Sequence, residues 1–327
     1  MLRRVCLLMG VLAASSVWAQ VADRDAAAYP ARHIRMIAPF TSGSTLDIMA
    51  RLIAEQLASR LGQNVVVDNR PGANGIIGID LVAKAPADGY TMLMTTGSFT
   101  GNRVLNKKLP YDGVRDFAPI TQVAHSYGMV LVVNPSVPAQ SIKELVALAK
   151  SRPGKLSYGS SGVGNITHLV AEMFRTEAGI DIVHVPYKGS GPAMTDVLGG
   201  QIDMTFVSTV FVQPFIKAKR VRALGLTGSA RAPVLADVPT FRELGLPGVE
   251  MTGWYGLWFP AKTPSARVNR IQFEIMKAVT SSETMKARLD EYGLVGVAST
   301  PAEFAKFLRE DFVMQTHILK QAGIQPQ

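Results

Sequence analysis

The chain has 327 residues, of which 47% are hydrophobic and 7% aromatic, and its formal net charge is +9. This composition is that of a globular protein with room for one large or two ordinary domains. The basic residues are scattered and are not interleaved with aromatic residues, which argues against a nucleic-acid partner. The excess of positive charge favours small acidic partners through mild electrostatic steering.

The N-terminus has the organisation of a secretory signal peptide, which we predict at residues 1–19. Arg3 and Arg4 form its basic start, and residues 5–17 form an apolar run. That run is shorter than the roughly 20 apolar residues of a spanning helix. We therefore predict export to the periplasm, with cleavage near Ala19.

The cysteine content limits the chemistry of the mature chain. Cys6 is the only cysteine and lies within the predicted signal peptide. The mature chain is therefore expected to contain no disulfide, no thiol nucleophile and no cysteine metal site. Without Arg3 and Arg4 it keeps 32 basic and 25 acidic residues, a net charge of +7.

Strands and helices alternate in the first part of the mature chain. Apolar runs predict the strands, and apolar residues at helical spacing predict the helices. In chain order we predict a strand at 33–38, a helix at 46–61, a strand at 65–67, a helix at 78–84 and a strand at 91–94. This order predicts a parallel, doubly wound sheet.

The pattern restarts after residue 128, which predicts a second α/β unit. Strands are predicted at 129–133, 157–158, 182–185, 204–207 and 223–226, and helices at 141–150, 167–178 and 192–198. A strand at 252–259 then returns to the first unit, and helices follow at 264–281, 282–292 and 301–321.

We therefore predict two α/β lobes joined by two crossings, near 119–128 and 252–255. Lobe I would hold residues 30–124 and 253–327, and lobe II residues 125–252. Ligands of parallel sheets bind beyond the C-terminal ends of the strands, so two facing lobes would line one cleft. Such a cleft closes by hinge motion.

Two turns rich in Gly, Ser and Thr are the strongest functional signal. They cover residues 39–47 and 158–168; each follows an apolar strand and opens an amphipathic helix. A helix N-terminus leaves its first N–H groups unpaired and carries partial positive charge. Ordinary helix capping explains one such turn equally well. Two of them on separate lobes indicate a clamp around a carboxylate or a similar anion.

Motifs for catalysis and cofactors are weak or missing. Ser160 and Ser161 lie in a string that lacks the first Gly of a G-x-S-x-G nucleophile elbow. The five histidines are dispersed, and the string at 162–167 resembles a dinucleotide fingerprint without its last Gly. We therefore expect no metal, no cofactor and no catalytic residue, while a Ser-His-Asp triad assembled from distant residues stays open.

Several further short sequence strings occur one after another along nearly the whole mature chain. They are D-I-M-A-R at 47–51, N-R-P-G-A-N-G at 69–75, A-K-A-P-A-D-G-Y at 83–90, Y-G-S-S-G-V-G at 158–164, V-P-Y-K-G at 185–189, G-G-Q-I-D at 199–203 and G-L-W-F-P-A at 256–261. Together they resemble the tripartite tricarboxylate transporter receptor (Bug) family of extracytoplasmic solute-binding proteins. The resemblance implies a two-lobe periplasmic-binding-protein fold (Venus flytrap, type II) and no enzymatic activity.

The resemblance also implies that the two turns grip a ligand carboxylate, partly through ordered water. The implied ligand-binding residues are Phe40, Thr41, Ser42, Gly43, Ser44, Thr45, Thr96, Ser98, Ser160, Gly162, Gly164, Asn165, His168 and Asp203. This chain departs from the family's usual P-G-G first turn, because Ser44 adds a hydroxyl and Leu46 is larger. These differences alter the polarity and width of the pocket.

We therefore predict a periplasmic protein that captures a small organic carboxylate and delivers it to membrane permease subunits. The ligand stays open between dicarboxylates and monocarboxylates, aromatic acids and amino acids included. Two alternatives also stay open: an exported α/β hydrolase, and a sensor domain that presents its bound ligand to a membrane receptor.

Overall fold

The computed structural model describes residues 29–321 and 324–326, and the predicted signal peptide and its cleavage site lie outside them. Within these residues the chain forms eleven β-strands and ten α-helices. The strands are β1 (Ile34–Ala38), β2 (Val65–Asn69), β3 (Thr91–Thr96), β4 (Phe117–Ser126), β5 (Met129–Val133), β6 (Ser157–Ser160), β7 (Val183–Pro186), β8 (Met204–Ser208), β9 (Arg222–Leu226), β10 (Trp254–Pro260) and β11 (Leu294–Gly296). The helices are α1 (Thr45–Leu61), α2 (Ile76–Ala83), α3 (Ser98–Leu105), α4 (Ile142–Ser151), α5 (Ile166–Ala178), α6 (Ser190–Leu198), α7 (Thr209–Lys217), α8 (Ser265–Ser281), α9 (Glu283–Glu291) and α10 (Pro301–Gln321).

The strands form two mixed sheets, and each sheet with its covering helices makes one lobe. The first sheet has the order β11-β4-β10-β3-β1-β2, and the second has the order β7-β6-β8-β5-β9. The predicted parallel arrangement is confirmed for β1, β2 and β3, but β4, β10 and β11 add an antiparallel half. The chain crosses between the sheets from β4 to β5 and again from β9 to β10, as predicted.

Both faces of each sheet are buried, which explains why the strands read as continuous apolar runs. In β1, Met36 packs in the cluster that contains α1, while its neighbour Ile37 packs with Phe304 on the opposite face. In β5, the neighbours Leu131 and Val132 likewise pack in two different apolar clusters, one on each face of the second sheet.

Two helices, α3 and α7, and two strands, β4 and β11, are absent from the elements predicted from the sequence; β4 lies where the first crossing was predicted. Helix α3 was not predicted because its sequence, SFTGNRVL, contains several poor helix formers. Helix α7 carries Pro214 and β-branched residues, which oppose a helix, and β11 has only three residues. No helix among the described residues is both long and apolar enough to cross a bilayer.

The last helix, α10, contacts both lobes. Phe304 near its start packs in the core of the first sheet. Ile318 and Leu319 near its end pack in the core of the second sheet, together with Leu105 of α3. The lobes are therefore joined by side-chain packing as well as by the two crossings.

Candidate functional site

A cavity of about 210 Å³ lies between the lobes, where parallel strands of both sheets end. The chain lines it just beyond β1, β3 and β6, and Ser208 at the end of β8 also faces it. This is the position in which open α/β sheets bind ligands. The lining residues are Phe40, Thr41, Ser42, Gly43, Ser44, Thr45, Leu46, Thr96, Gly97, Ser126, Met129, Ser161, Asn165, Ile166, Thr167, Leu169, Lys188, Gly189, Ser190, Gly191, Pro192, Ser208, Phe211, Met251, Thr252, Gly253, Trp254, Tyr255 and Gln315.

A second, neighbouring cavity of about 730 Å³ shares part of this lining. Phe40, Thr41, Ser161 and Lys188 line both cavities. Lys188 is the one charged residue among the described residues that line either of them. The lining therefore favours anions and offers no carboxylate to a cation.

The first turn is held by the buried carboxylate of Asp47. The backbone of Gly43 has a φ of 77°, and its N–H donates to Asp47 Oδ2 over 2.9 Å. Arg51 Nε and Asn69 Nδ2 also donate to this carboxylate, at 3.1 and 3.0 Å. Burial opposes ionisation, but these hydrogen bonds outweigh it and lower the pKa of Asp47.

Ser44 completes the first turn as the N-cap of α1. Its hydroxyl accepts from the N–H of Asp47 over 3.3 Å. Within the described residues the N–H groups of Thr45 and Leu46 have no hydrogen-bond partner. These two donors lie at the cavity, so the turn presents unpaired N–H groups at a helix N-terminus.

The second turn is built in the same way at the start of α5. Gly164 has a φ of 74°, and its N–H donates to His168 Nδ1 over 3.0 Å. Asn165 is the N-cap and accepts from the N–H of Thr167 over 3.3 Å. The N–H of Ile166 has no partner among the described residues, and Ile166 lines the cavity.

Two stacked imidazoles lie beneath the second turn. The rings of His168 and His184 are 4.1 Å apart, and His184 Nε2 lies 2.6 Å from Ser160 Oγ. Burial, and then the neighbouring His184, lowers the pKa of His168 to about 4. Burial also lowers the pKa of His184. Both rings are therefore neutral at neutral pH.

The Ser160–His184 pair does not form a hydrolase site. Ser160 is fully buried and lines neither cavity. A nucleophile must reach its substrate, so this hydrogen bond stabilises the turn. Within residues 29–321 and 324–326, no group of three His, Cys, Asp or Glu side chains is placed to bind a metal.

Gln315 of α10 reaches the cavity through a buried polar network. Its Nε2 lies 3.1 Å from the carbonyl oxygen of Gly97 and 2.7 Å from both Thr100 Oγ1 and Asp311 Oδ2. Thr100 also donates to Asp311. Burial raises the pKa of Asp311. This network connects the last helix to the segment that follows β3.

Eight of the residues that the family resemblance implies line the 210 Å³ cavity: Phe40, Thr41, Ser42, Gly43, Ser44, Thr45, Thr96 and Asn165. Gly162 lines the second cavity.

The other five implied residues line neither cavity. Ser98, Ser160, Gly164 and His168 are buried behind the lining, and Asp203 accepts hydrogen bonds from the N–H and hydroxyl of Ser157. The structure therefore gives them supporting contacts and no direct access to the cavity.

Sequence reasoning missed several lining residues. Ser208 ends strand β8, and Phe211 lies in the first turn of α7. Both line the cavity, and the C-terminal end of the predicted strand at 204–207 could have indicated them. Lys188 was not among the expected site residues, and it is exposed at both cavities. No local sequence pattern identifies Gln315 as a lining residue, because it lies on the last helix, α10, which brings it to the cavity from a distant part of the chain.

Comparison with known proteins identifies a family that agrees with a binding cavity between two lobes. The family model described as "Tripartite tricarboxylate transporter family receptor" matches residues 49–324. Protein BugT of Bordetella pertussis is 34% identical over 322 residues, which are 98% of this chain and 98% of BugT.

Two solved structures share both the fold and detectable sequence identity. The R. palustris protein Rpa4515 with adipate has a TM-score of 0.88 and 34% identity, covering 91% of this chain and 100% of its own. The periplasmic binding protein BugD has a TM-score of 0.85 and 31% identity, again over 91% and 100% of the two chains. These relatives are solute-binding proteins and not enzymes. The chain is likewise a two-lobe solute-binding receptor, and it belongs to the tripartite tricarboxylate transporter receptor family.

Proposed function

We propose that this receptor captures a small organic carboxylate in the cavity between its lobes and delivers it to permease subunits in the membrane. In this proposal residues 1–19 direct export and are removed, so that the mature protein works in the periplasm. Residues 30–124 and 253–327 move as one lobe, and residues 125–252 move as the other. The observation that carries the proposal is the pair of matching glycine turns, one from each lobe.

The turns supply donors for a carboxylate without supplying a counter-charge. The N–H groups of Thr45, Leu46 and Ile166 are unpaired at two helix N-termini. A hydrogen bond to a charged group contributes roughly 1.5–3 kcal/mol, and a helix end contributes roughly 0.3–2 kcal/mol. Together they reach about 8 kcal/mol, which corresponds to micromolar affinity.

Hydroxyl and amide side chains add to these donors. Thr41, Ser42, Ser44, Thr96 and Asn165 line the cavity beside the turns. We propose that these residues contact the carboxylate directly or through water, because water-mediated hydrogen bonds are nearly as favourable as direct ones. The buried residues Ser98, Ser160, Gly164 and His168 and the half-buried Asp203 then support the lining without contacting the ligand.

The rest of the cavity suits an uncharged carbon skeleton. Met129, Leu169, Phe211 and Met251 form an apolar wall. Apolar surface favours the methylene or aromatic body of an organic acid. The relative solved with adipate supports a carboxylate of this kind.

Calorimetric titration tests the proposal. The mature protein is unfolded, dialysed and refolded to remove retained ligand, and then titrated with adipate and a panel of mono-, di- and aromatic carboxylates. We expect at least one acid to bind with micromolar or tighter affinity, and its amide analogue to bind far more weakly. If no organic anion binds to refolded protein with a native unfolding transition, the proposal is wrong.

Location and partner are tested separately. Expression of the full chain with a C-terminal tag, followed by osmotic shock, is expected to release a protein that starts near Gln20. Cross-linking in the presence of ligand is expected to capture the permease subunits. Retention of the leader in the cytoplasmic fraction would contradict the predicted export.

A further inference from the structure

The two turns of the cleft are equivalent in detail. In each, a glycine with positive φ precedes the N-cap, at 77° for Gly43 and 74° for Gly164. In each, the glycine N–H donates to the side chain four residues later, Asp47 in the first turn and His168 in the second. Both acceptors occupy the third position of their helix and are buried.

We infer that His168 is a positioning residue of the ligand site: it fixes the second turn through the Gly164 N–H, as Asp47 fixes the first, and it does not contact the ligand. This inference rests on the proposed carboxylate-binding function. Its support is geometric, because His168 is 4% exposed and lines neither cavity. It therefore acts on the ligand indirectly, through the Gly164 backbone that it holds.

The hydrogen bond defines the state of the ring. Because Nδ1 accepts from Gly164, Nδ1 carries no proton and the neutral ring carries its proton on Nε2. If Nδ1 of His168 were protonated, its N–H would face the N–H of Gly164, and neither group could accept a hydrogen bond from the other. The lowered pKa of His168, about 4, keeps the acceptor available at neutral pH.

The Gly164 peptide has little freedom to move away from His168. A Cβ at Gly164 would lie 1.6 Å from Leu105 Cδ1, so α3 of the first lobe packs directly on this turn. A Cβ at Gly101 would lie 3.0 Å from the carbonyl oxygen of Gly164. The turn is thus held between α3 on one side and His168 on the other.

The charges around each acceptor explain why the two turns use different residues. Arg51 and Asn69 donate to the Asp47 carboxylate. His168 faces His184, Glu172, Arg175 and, through the stack, Tyr158. Arg175 is already paired with Glu172 at 2.8 Å, and Tyr158 also donates to Glu172. A carboxylate at position 168 would have only the Gly164 N–H as a donor and would lie near Glu172, so a neutral acceptor suits this turn better.

Two variants at position 168 distinguish the effect of the hydrogen-bond acceptor from the effect of the side chain's volume. His168→Asn keeps an acceptor near the position of Nδ1, whereas His168→Leu fills the space without one. With adipate as the probe, we expect His168→Asn to bind within about threefold of the wild type and His168→Leu to bind at least tenfold more weakly. Equal affinity of wild type and His168→Leu would overturn the inference, as would equal losses in both variants.

A spectroscopic readout makes the test independent of ligand and of variant folding. Nitrogen NMR of histidine-labelled wild-type protein is expected to place the His168 proton on Nε2 at neutral pH. The Gly164 amide is expected to show scalar coupling to Nδ1 and slow exchange with solvent. A proton on Nδ1, or a freely exchanging Gly164 amide, would overturn the inference. If adipate does not bind to the wild type, this readout still decides whether His168 holds the Gly164 N–H, while the titration panel decides the proposed function.

Discussion

The side-chain hydroxyls of Thr45 and Ser208 lie 3.0 Å apart, so a hydrogen bond joins the two lobes beside the 210 Å³ cavity. Thr45 is the first residue of α1, and Ser208 is the last residue of β8. The N-terminal ends of α1 and α7 therefore meet at this contact. It can form only when the lobes are as close as they are here, so we expect it to stabilise this arrangement of the lobes.

A double-mutant cycle tests this contact. Thr45→Val and Ser208→Ala each remove one hydroxyl, and a neutral hydrogen bond contributes about 0.5–1.5 kcal/mol. We expect the two changes to be non-additive in ligand affinity by about 1 kcal/mol, because the second change has no bond left to break. Fully additive losses would mean that the hydroxyls act independently and that the bond does not stabilise closure.

The first turn depends on the positive φ of Gly43, and α1 itself supplies a matched control. Gly43 and Gly62 have φ values of 77° and 66°, and a Cβ at either would meet no atom within 4 Å. Either change to Ala is expected to lower the free energy of unfolding by about 1 kcal/mol through backbone strain. Only Gly43→Ala is expected to weaken ligand binding, by about tenfold or more. Calorimetry and urea unfolding of both variants measure this, and equal affinities would show that the turn geometry does not matter.

Lys188 is expected to attract the anionic ligand. It is the charged residue of the described cavity lining and is exposed, so its interaction is worth about 0–1 kcal/mol. Lys188→Gln should reduce affinity by up to about fivefold and flatten the dependence of the association rate on salt. Lys143→Gln, which removes the same charge on α4 away from the cavities, serves as the control. Stopped-flow binding at several salt concentrations distinguishes the two, and identical behaviour would contradict the prediction.

The buried His168 makes stability depend on pH. Its pKa is about 4 in the folded protein, lowered from 6.5 first by burial and then by His184. Between these values the unfolded chain binds more protons than the folded chain, so the free energy of unfolding falls as the pH falls. From pH 7 to pH 5 this group alone should cost about 2 kcal/mol.

Urea unfolding at the two pH values checks this, with His168→Asn as the comparison because Asn does not titrate. The pH dependence of the wild type should exceed that of the variant by about 2 kcal/mol. Parallel pH profiles would mean that His168 titrates normally in the folded state.

The sequence predicted those parts of the fold and site that depend on local patterns. Ser141 caps α4 by accepting from the N–H of Glu144 over 3.2 Å, as the spacing of these residues predicts. The first turn was found because its small residues, its helix start and the preceding strand are contiguous in the chain.

The missed features depend on contacts between distant residues. Gln315 donates to the carbonyl of Gly97, 218 residues away, and no local pattern encodes that pairing. His168 was expected at the cavity because the family resemblance implied that it binds the ligand. Its side chain instead points to the Gly164 N–H and stacks on His184, which is decided by tertiary packing.

The last helix, α10, also determines how the two lobes unfold. It supplies Phe304 to the core of one lobe and Ile318 and Leu319 to the core of the other, where Leu105 of α3 joins them. Residues of the first lobe therefore complete the apolar interior of the second lobe. The second lobe depends on the first for stability, and it should not stay folded once heat or urea has unfolded the first.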